Sequence, residues 1–149
     1  MNQAGAEMTA TIEDRQAIEE LVIKYAWCSD TRDFAALEQL FASDATLVVE
    51  RLSTGTRSEV TGATEIAAWV DQRHREEFAL GHRRRHVTTN FLLDHCDGSR
   101  ATSRAYICVV VSIDGSPPQL TAMGWYEDSF RKVEGRWLFG SRRVRLEGK

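Results

Sequence analysis

Apolar positions recur with a helical period near the start of the chain. Ile18, Leu21, Val22 and Tyr25 fall at i, i+3, i+4 and i+7, while Glu13, Arg15, Glu19, Glu20 and Lys24 lie off that stripe. This is the pattern of an amphipathic helix laid on a core. Thr11 followed by Asp14 resembles a capping box with an acidic residue in place of the usual Glu or Gln, and the helix is expected to run to about residues 29–32. Asp33 can cap a short second helix carrying Leu37, Leu40 and Phe41 and ending near residues 43–44. From Ala45 the period changes. Residues 46–50 form a β-type run, 53–56 offer turn chemistry, and a second short strand is expected over 57–61. Gly62 leads into a third helix with Ile66, Trp69, Val70 and Arg73 along one face. Three long strands are predicted at 84–95, 100–113 and 119–133, with turns at Asp97-Gly98 and 114–118 between them. Glu134-Gly135 then turns the chain into a last strand over 136–146.

The order α-α-β-β-α-β-β-β-β predicts an α+β fold. A curved antiparallel or mixed sheet would wrap as a cone on three helices, with a pocket at the open end. There is no internal repeat or linker, and 149 residues suit one domain, read as 11–149 after a loose tail at 1–10. Residues 107–111 (Ile-Cys-Val-Val-Val) are apolar in succession, whereas a strand with one wet face alternates. Simple alternation also places Val87, Phe91 and Leu93 opposite His86, Thr88 and Asn90. A second subunit packed on the back of the sheet accounts for both, so a homodimer is expected.

Composition narrows the partners. The chain is 42% hydrophobic and 28% charged with a net charge of −3, which gives no global attraction for nucleic acid or an anionic membrane. No apolar run approaches the ~18–20 residues that span a bilayer. Cys28, Cys96 and Cys108 form no CxxC pair and are odd in number, so they read as free thiols. Residues 1–10 lack the features of a secretory signal, and a cytoplasmic location is expected.

Two separated residues suggest chemistry. Asp30 stands at the end of the first helix, and His86 shares a strand face with Thr88 and Asn90 that is polar for a plain core and suits a pocket wall. A carboxylate beside an imidazole fixes its tautomer and favours its protonated form, which makes a better base near neutral pH. The residues alone leave other roles open: Asp30 as a helix-end cap or ion-pair partner, His86 as a surface histidine beside Arg83–Arg85. Tyr25 fits the apolar stripe as a core tyrosine. At ~100° per residue it lies about 140° from Asp30, so the two share a pocket only if the pocket wraps the helix end or the helix tightens. His82 and His86 have two-ligand spacing but do not converge on a strand, and no metal is expected. The run 82–86 alternates faces and reads as a solvated rim. Trp27, Trp69, Trp125, Tyr126 and Trp137 can line a cavity or fill the core.

The spacing Ile18-x2-Leu21-x3-Tyr25-x4-Asp30-x2-Asp33-x3-Leu37-x3-Phe41-x2-Asp44-Ala45 resembles the opening of SnoaL-like proteins of the nuclear transport factor two-like superfamily. Gly124-Trp125-Tyr126-x-Asp128 and Gly135-Arg136-Trp137 resemble its closing strands. The pattern is similar in kind to that of cofactor-free lyases such as bile-acid dehydratase, scytalone dehydratase and hexachlorocyclohexane dehydrochlorinase. His86-x2-Thr89-Asn90 also resembles the segment after the dehydrochlorinase's catalytic histidine. The resemblance implies catalytic roles for Tyr25, Asp30 and His86: His86, oriented by Asp30, removes a proton from carbon while Tyr25 assists a departing hydroxyl. It implies no cofactor and a small hydrophobic cyclic substrate undergoing dehydratase-type elimination or isomerisation. Polyketide cyclisation, or a non-catalytic role in ligand binding or as a dioxygenase small subunit, remain alternatives. Expected substrate contacts are Trp27, Asn90, Tyr106, Trp125, Tyr126 and Arg145, with Arg142 and Arg143 equally placed on the last strand.

Overall fold

The computed structural model describes residues 10–148, so most of the expected tail at 1–10 lies outside the described residues. Thr11 begins the first helix, α1 (Ile12–Thr31), through the capping box that its sequence predicts: its side chain accepts from the Asp14 backbone N–H at 3.0 Å. Ile18, Leu21, Val22 and Tyr25 are buried, as their period requires. Arg32, at φ 60° in the left-handed region, stops the helix. Asp33 caps α2 (Phe34–Glu38) by accepting from the Ala36 N–H at 3.1 Å.

The second helix is shorter than its apolar spacing suggests: it ends at Glu38, Leu40 lies in the turn that follows, and Phe41 opens the sheet. β1 covers Phe41–Arg51, the Leu40 carbonyl accepts from the Phe139 N–H at 2.9 Å, and the Phe41 and Phe139 rings stack at 5.0 Å. Pairing with the last strand overrides a local helical pattern here. The remaining elements follow in the expected order: β2 (Thr56–Thr61), α3 (Ala63–Ala79), β3 (His82–Cys96), β4 (Arg100–Ile113), β5 (Gln119–Val133) and β6 (Arg136–Glu147).

These strands form one curved, unclosed sheet in the order β2-β1-β6-β5-β4-β3. It is mixed: β1 and β6 run parallel and every other neighbouring pair is antiparallel. Register shifts in β3, between β4 and β5 and between β5 and β6 add bend and twist to the long strands. Gly124 lets β5 and β6 approach closely, since a Cβ there would sit 1.8 Å from the Arg145 carbonyl oxygen. The helices fill the concave side, where Ile18, Val22, Leu37, Leu47, Ile66, Ile107 and Phe139 are buried to 1% exposure or less. Each such side chain stabilises the fold by about 1.5–3 kcal/mol through removal from water.

The bulge in β3 corrects one expectation. Asn90 adopts φ 55° and the register slips between Thr89 and Leu92. Alternation holds through His82, Arg84, His86 and Thr88, and beyond the slip Leu93 is buried and Phe91 packs against the core. Phe91 and Leu93 therefore do not lie on the face opposite His86, and Asn90 is turned out to solvent. On β4, Ile107, Val109 and Val111 face the core, while Cys108 and Val110 sit half-buried on the convex face. Rows Val87–Cys108–Met123 and Val110–Leu120 cross that convex face, as does the pair Tyr106–Trp125. No helix among the described residues is long and apolar enough to cross a membrane.

Candidate active site

The open end of the cone holds a cavity of about 450 Å³. β4 and β6 present Ile107, Val109, Val111, Val144 and Leu146 to it, whereas α1, α3 and β3 contribute Tyr25, Arg73, His74, Glu77, Arg84 and His86. The cavity therefore has an apolar wall from the sheet facing a charged and polar wall, and a concave site with convergent polar groups is the usual form of a small-molecule site.

Asp30 and His86 meet. Asp30 Oδ1 lies 2.6 Å from His86 Nδ1, and Asp30 Oδ2 accepts from the His86 backbone N–H at 2.9 Å. Both side chains are almost wholly buried, at 9% and 11% exposure. A carboxylate at Nδ1 places the ring proton there and leaves Nε2 as the basic nitrogen. His86 lines the cavity and Asp30 stands behind it.

Tyr25 also reaches the cavity, although it lies on a different side of α1 from Asp30. The two converge through the histidine: the Tyr25 ring packs edge-on to His86 at 6.5 Å between centroids, and the Asp30 carboxylate holds its Nδ1. The helix neither ends nor tightens before Asp30. Tyr25 is held by Phe41, Tyr126 and Phe139 at 6.1–6.3 Å. Burial raises its phenol above the ordinary tyrosine value, partly opposed by the Arg142 charge, so the group is a protonated donor near neutral pH.

Arg142 is the arginine of the last strand that faces inward. It is fully buried and makes a bidentate pair with Asp128, with both N–O distances 2.8 Å. Its guanidinium lies 3.7 Å from the Tyr126 ring centroid and 4.4 Å from that of Tyr25, under the cavity floor. Burial opposes the Arg142 charge, but Asp128 outweighs that effect and holds the guanidinium protonated.

Arg145 lies elsewhere. It shares a face with Glu50 and Glu127, with its Nε 3.3 Å from Glu50, on the convex side of the sheet. Two residues from Val144 along alternation is Arg142, whereas Arg145 is one away, which is why the inward arginine is the former. Of the other expected contacts, Tyr126 lines the cavity. Trp27 is 68% exposed on α1, and Tyr106, Trp125 and Asn90 border a groove on the convex face. Trp69 lines the cavity, and Trp137 is core, donating through Nε1 to Asp14 at 2.8 Å.

His74 belongs to the site and was not among the sequence candidates. Its ring lies parallel to that of His86, 6.0 Å away and tilted by 6°. Burial lowers its pKa to about 4, reinforced by Arg84 and His86, so His74 is neutral near pH 7. Its signal was available: Ile66, Val70 and His74 are spaced i, i+4, i+8 on the buried face of α3.

A family model for the SnoaL-like domain matches residues 10–143. No curated protein matches the chain by sequence. Among solved structures, an NTF2-like protein with a cystatin-like fold from Novosphingobium aromaticivorans is 27% identical, with a TM-score of 0.77 over 91% of this chain and 82% of the other. A scytalone dehydratase-like protein from the same organism is 22% identical, with a TM-score of 0.70 over 91% and 85%. ActVI-ORFA from Streptomyces coelicolor is 20% identical, with a TM-score of 0.75 over 91% and 96%. At such identities the last two show a shared fold.

Proposed function

The chain belongs to the SnoaL-like domain family, and from that premise we propose that it catalyses a cofactor-independent, dehydratase-type elimination, or the related isomerisation, on a small hydrophobic cyclic molecule. The observation that carries this reading is the double grip of Asp30 on His86, which sets a base in the cavity wall beside a buried phenol.

His86 Nε2 takes a proton from a carbon of the bound ring, and Asp30 complements the positive charge the imidazole acquires. The C–H electron pair forms the new double bond as the C–O bond to the neighbouring hydroxyl breaks. Tyr25 gives its phenolic proton to the departing oxygen, which leaves as water. The imidazolium then returns its proton to the Tyr25 phenolate through solvent, and both groups regain their starting states. In an isomerisation the abstracted proton is instead delivered to another carbon.

Proton abstraction can be tested with cyclic β-hydroxy ketones in D2O, following deuterium entry at the α-carbon by NMR and enone formation by absorbance. The wild-type protein is expected to catalyse one or both, and His86→Gln to abolish them while its circular dichroism stays native. Undiminished exchange by folded His86→Gln would remove the histidine from the chemistry.

We also propose, on the separate ground of its exposed apolar residues, that the convex face of the sheet forms a homodimer interface. Val87, Leu120, Met123 and Tyr106 are 45–59% exposed there on adjacent strands. A single apolar sheet face is self-complementary under a two-fold axis, so one patch serves both partners. The unbonded cysteines support a cytoplasmic setting, where thiols persist.

A further inference from the structure

The polar groups of the cavity are unbalanced in charge. Arg51 from β1, Arg73 from α3 and Arg84 from β3 line it together, against one carboxylate, Glu77. Glu77 is already engaged by Arg84. Glu50, the neighbour of Arg51 in the chain, faces the other side of β1 and is taken by Arg57, Arg143 and Arg145. Among the described residues, no carboxylate lies within ion-pair distance of Arg51 or Arg73.

Arg73 is poised. Its guanidinium stacks over the Trp69 ring at 4.6 Å from the centroid, which fixes its plane while leaving the N–H edge available. Burial works against its charge, and the like charges of Arg51 and Arg84 add to that. A neighbourhood of three cations and one carboxylate is stabilised when an anion enters it. The arginine fork also matches the two oxygens of a carboxylate geometrically.

We propose that the cavity takes a hydrophobic ring acid, whose carboxylate is received by Arg73 and Arg51 while its ring lies on the apolar side chains of β4 and β6. This deepens the elimination reading and rests on it for the chemistry that follows, since an anchored carboxylate fixes which carbon faces His86. The anchor is a binding group, and its energy serves orientation at the reacting carbon.

The probes are 2-naphthoate and its neutral near-isostere 2-naphthamide, titrated calorimetrically into wild-type protein and the Arg73→Gln, Arg51→Gln and His86→Gln variants. Wild type is expected to bind the acid about tenfold or more tightly than the amide, as a charged hydrogen-bonded pair implies. Added salt should weaken the acid selectively. Arg73→Gln or Arg51→Gln should bring the two ligands to within about threefold, whereas His86→Gln should keep the preference. Equal affinity for acid and amide, no binding of the acid, or a preference that survives both arginine substitutions would overturn the proposal. If the preference is missing while His86→Gln still abolishes deuterium exchange, the ring-acid site fails and the elimination stands. If the preference is present and exchange is absent, the ring-acid site stands and the elimination fails.

Discussion

Asp30 holds His86 by side chain and main chain at once, its Oδ1 2.6 Å from ring Nδ1 and its Oδ2 accepting the backbone N–H at 2.9 Å. The backbone bond ties the end of α1 to a fixed point on β3, and the ring bond fixes the imidazole about that point. Register and orientation are therefore set by one carboxylate. With both side chains almost wholly buried, neither bond competes with water on equal terms.

Asp30→Asn separates orientation from bulk. An amide presents one oxygen and one NH2, so it cannot accept from both the backbone N–H and Nδ1–H. Either the backbone tie is lost or the ring is driven to the other tautomer, with Nε2 protonated and useless as a base. Turnover or exchange should fall by about 10²–10⁴-fold. Loss of a charged hydrogen bond should cost about 1.5–3 kcal/mol in urea unfolding. A wild-type rate from a folded Asp30→Asn protein would show that the carboxylate does not set the base.

The caps at Thr11 and Asp33, the order of elements along the chain and the Asp30–His86 pairing were legible because each rests on a short-range signal or on the family spacing. What escaped was decided at longer range. The Leu37, Leu40, Phe41 spacing is helical, yet Leu40 and Phe41 are captured by Phe139 from nearly a hundred residues away. Asn90 leaves the His86 face because its positive φ inserts a bulge, which strict alternation does not foresee. The inward arginine could have been read: Tyr126 and Phe130 flank Asp128, and Val144 and Leu146 continue the face of Arg142, so opposite charges stand at matching core positions of paired strands.

That buried pair gives a second prediction. Arg142→Met leaves the Asp128 carboxylate without its partner in a fully buried site, at a cost of about 3–5 kcal/mol. Adding Asp128→Leu removes the stranded charge and should recover most of the loss. Urea unfolding of the single and double variants checks this. A double variant no more stable than Arg142→Met would mean that the ion pair, and not the burial of an unpaired charge, holds the floor beneath Tyr25 and Tyr126.

On the convex face, Met123→Lys places a charge in the row Val87–Cys108–Met123. In sedimentation velocity the wild-type protein should run as a dimer and this variant as a monomer, because a desolvated lysine at the centre of an apolar patch repels its symmetry mate. The cavity opens on the other side of the sheet, so naphthoate binding should survive. A monomeric wild-type protein would remove the interface.

His74 makes stability depend on pH in a defined window. Its folded-state pKa, lowered to about 4 by burial and by Arg84 and His86, lies below the value of about 6.5 in the unfolded chain. Between these values the unfolded chain binds a proton that the native state refuses, so stability falls as pH drops through the window; above it the group contributes no slope. The full effect is on the order of 3 kcal/mol, set by the separation of the two pKa values. His74→Phe keeps a ring in contact with Phe34 and His86 and has nothing to titrate. Urea unfolding of wild type and variant at pH 7.5 and pH 4.5 cancels every carboxylate they share. Acidification should therefore cost the wild type about 2 kcal/mol more than His74→Phe. Parallel losses in the two proteins would mean that the native fold does not hold His74 below its ordinary pKa.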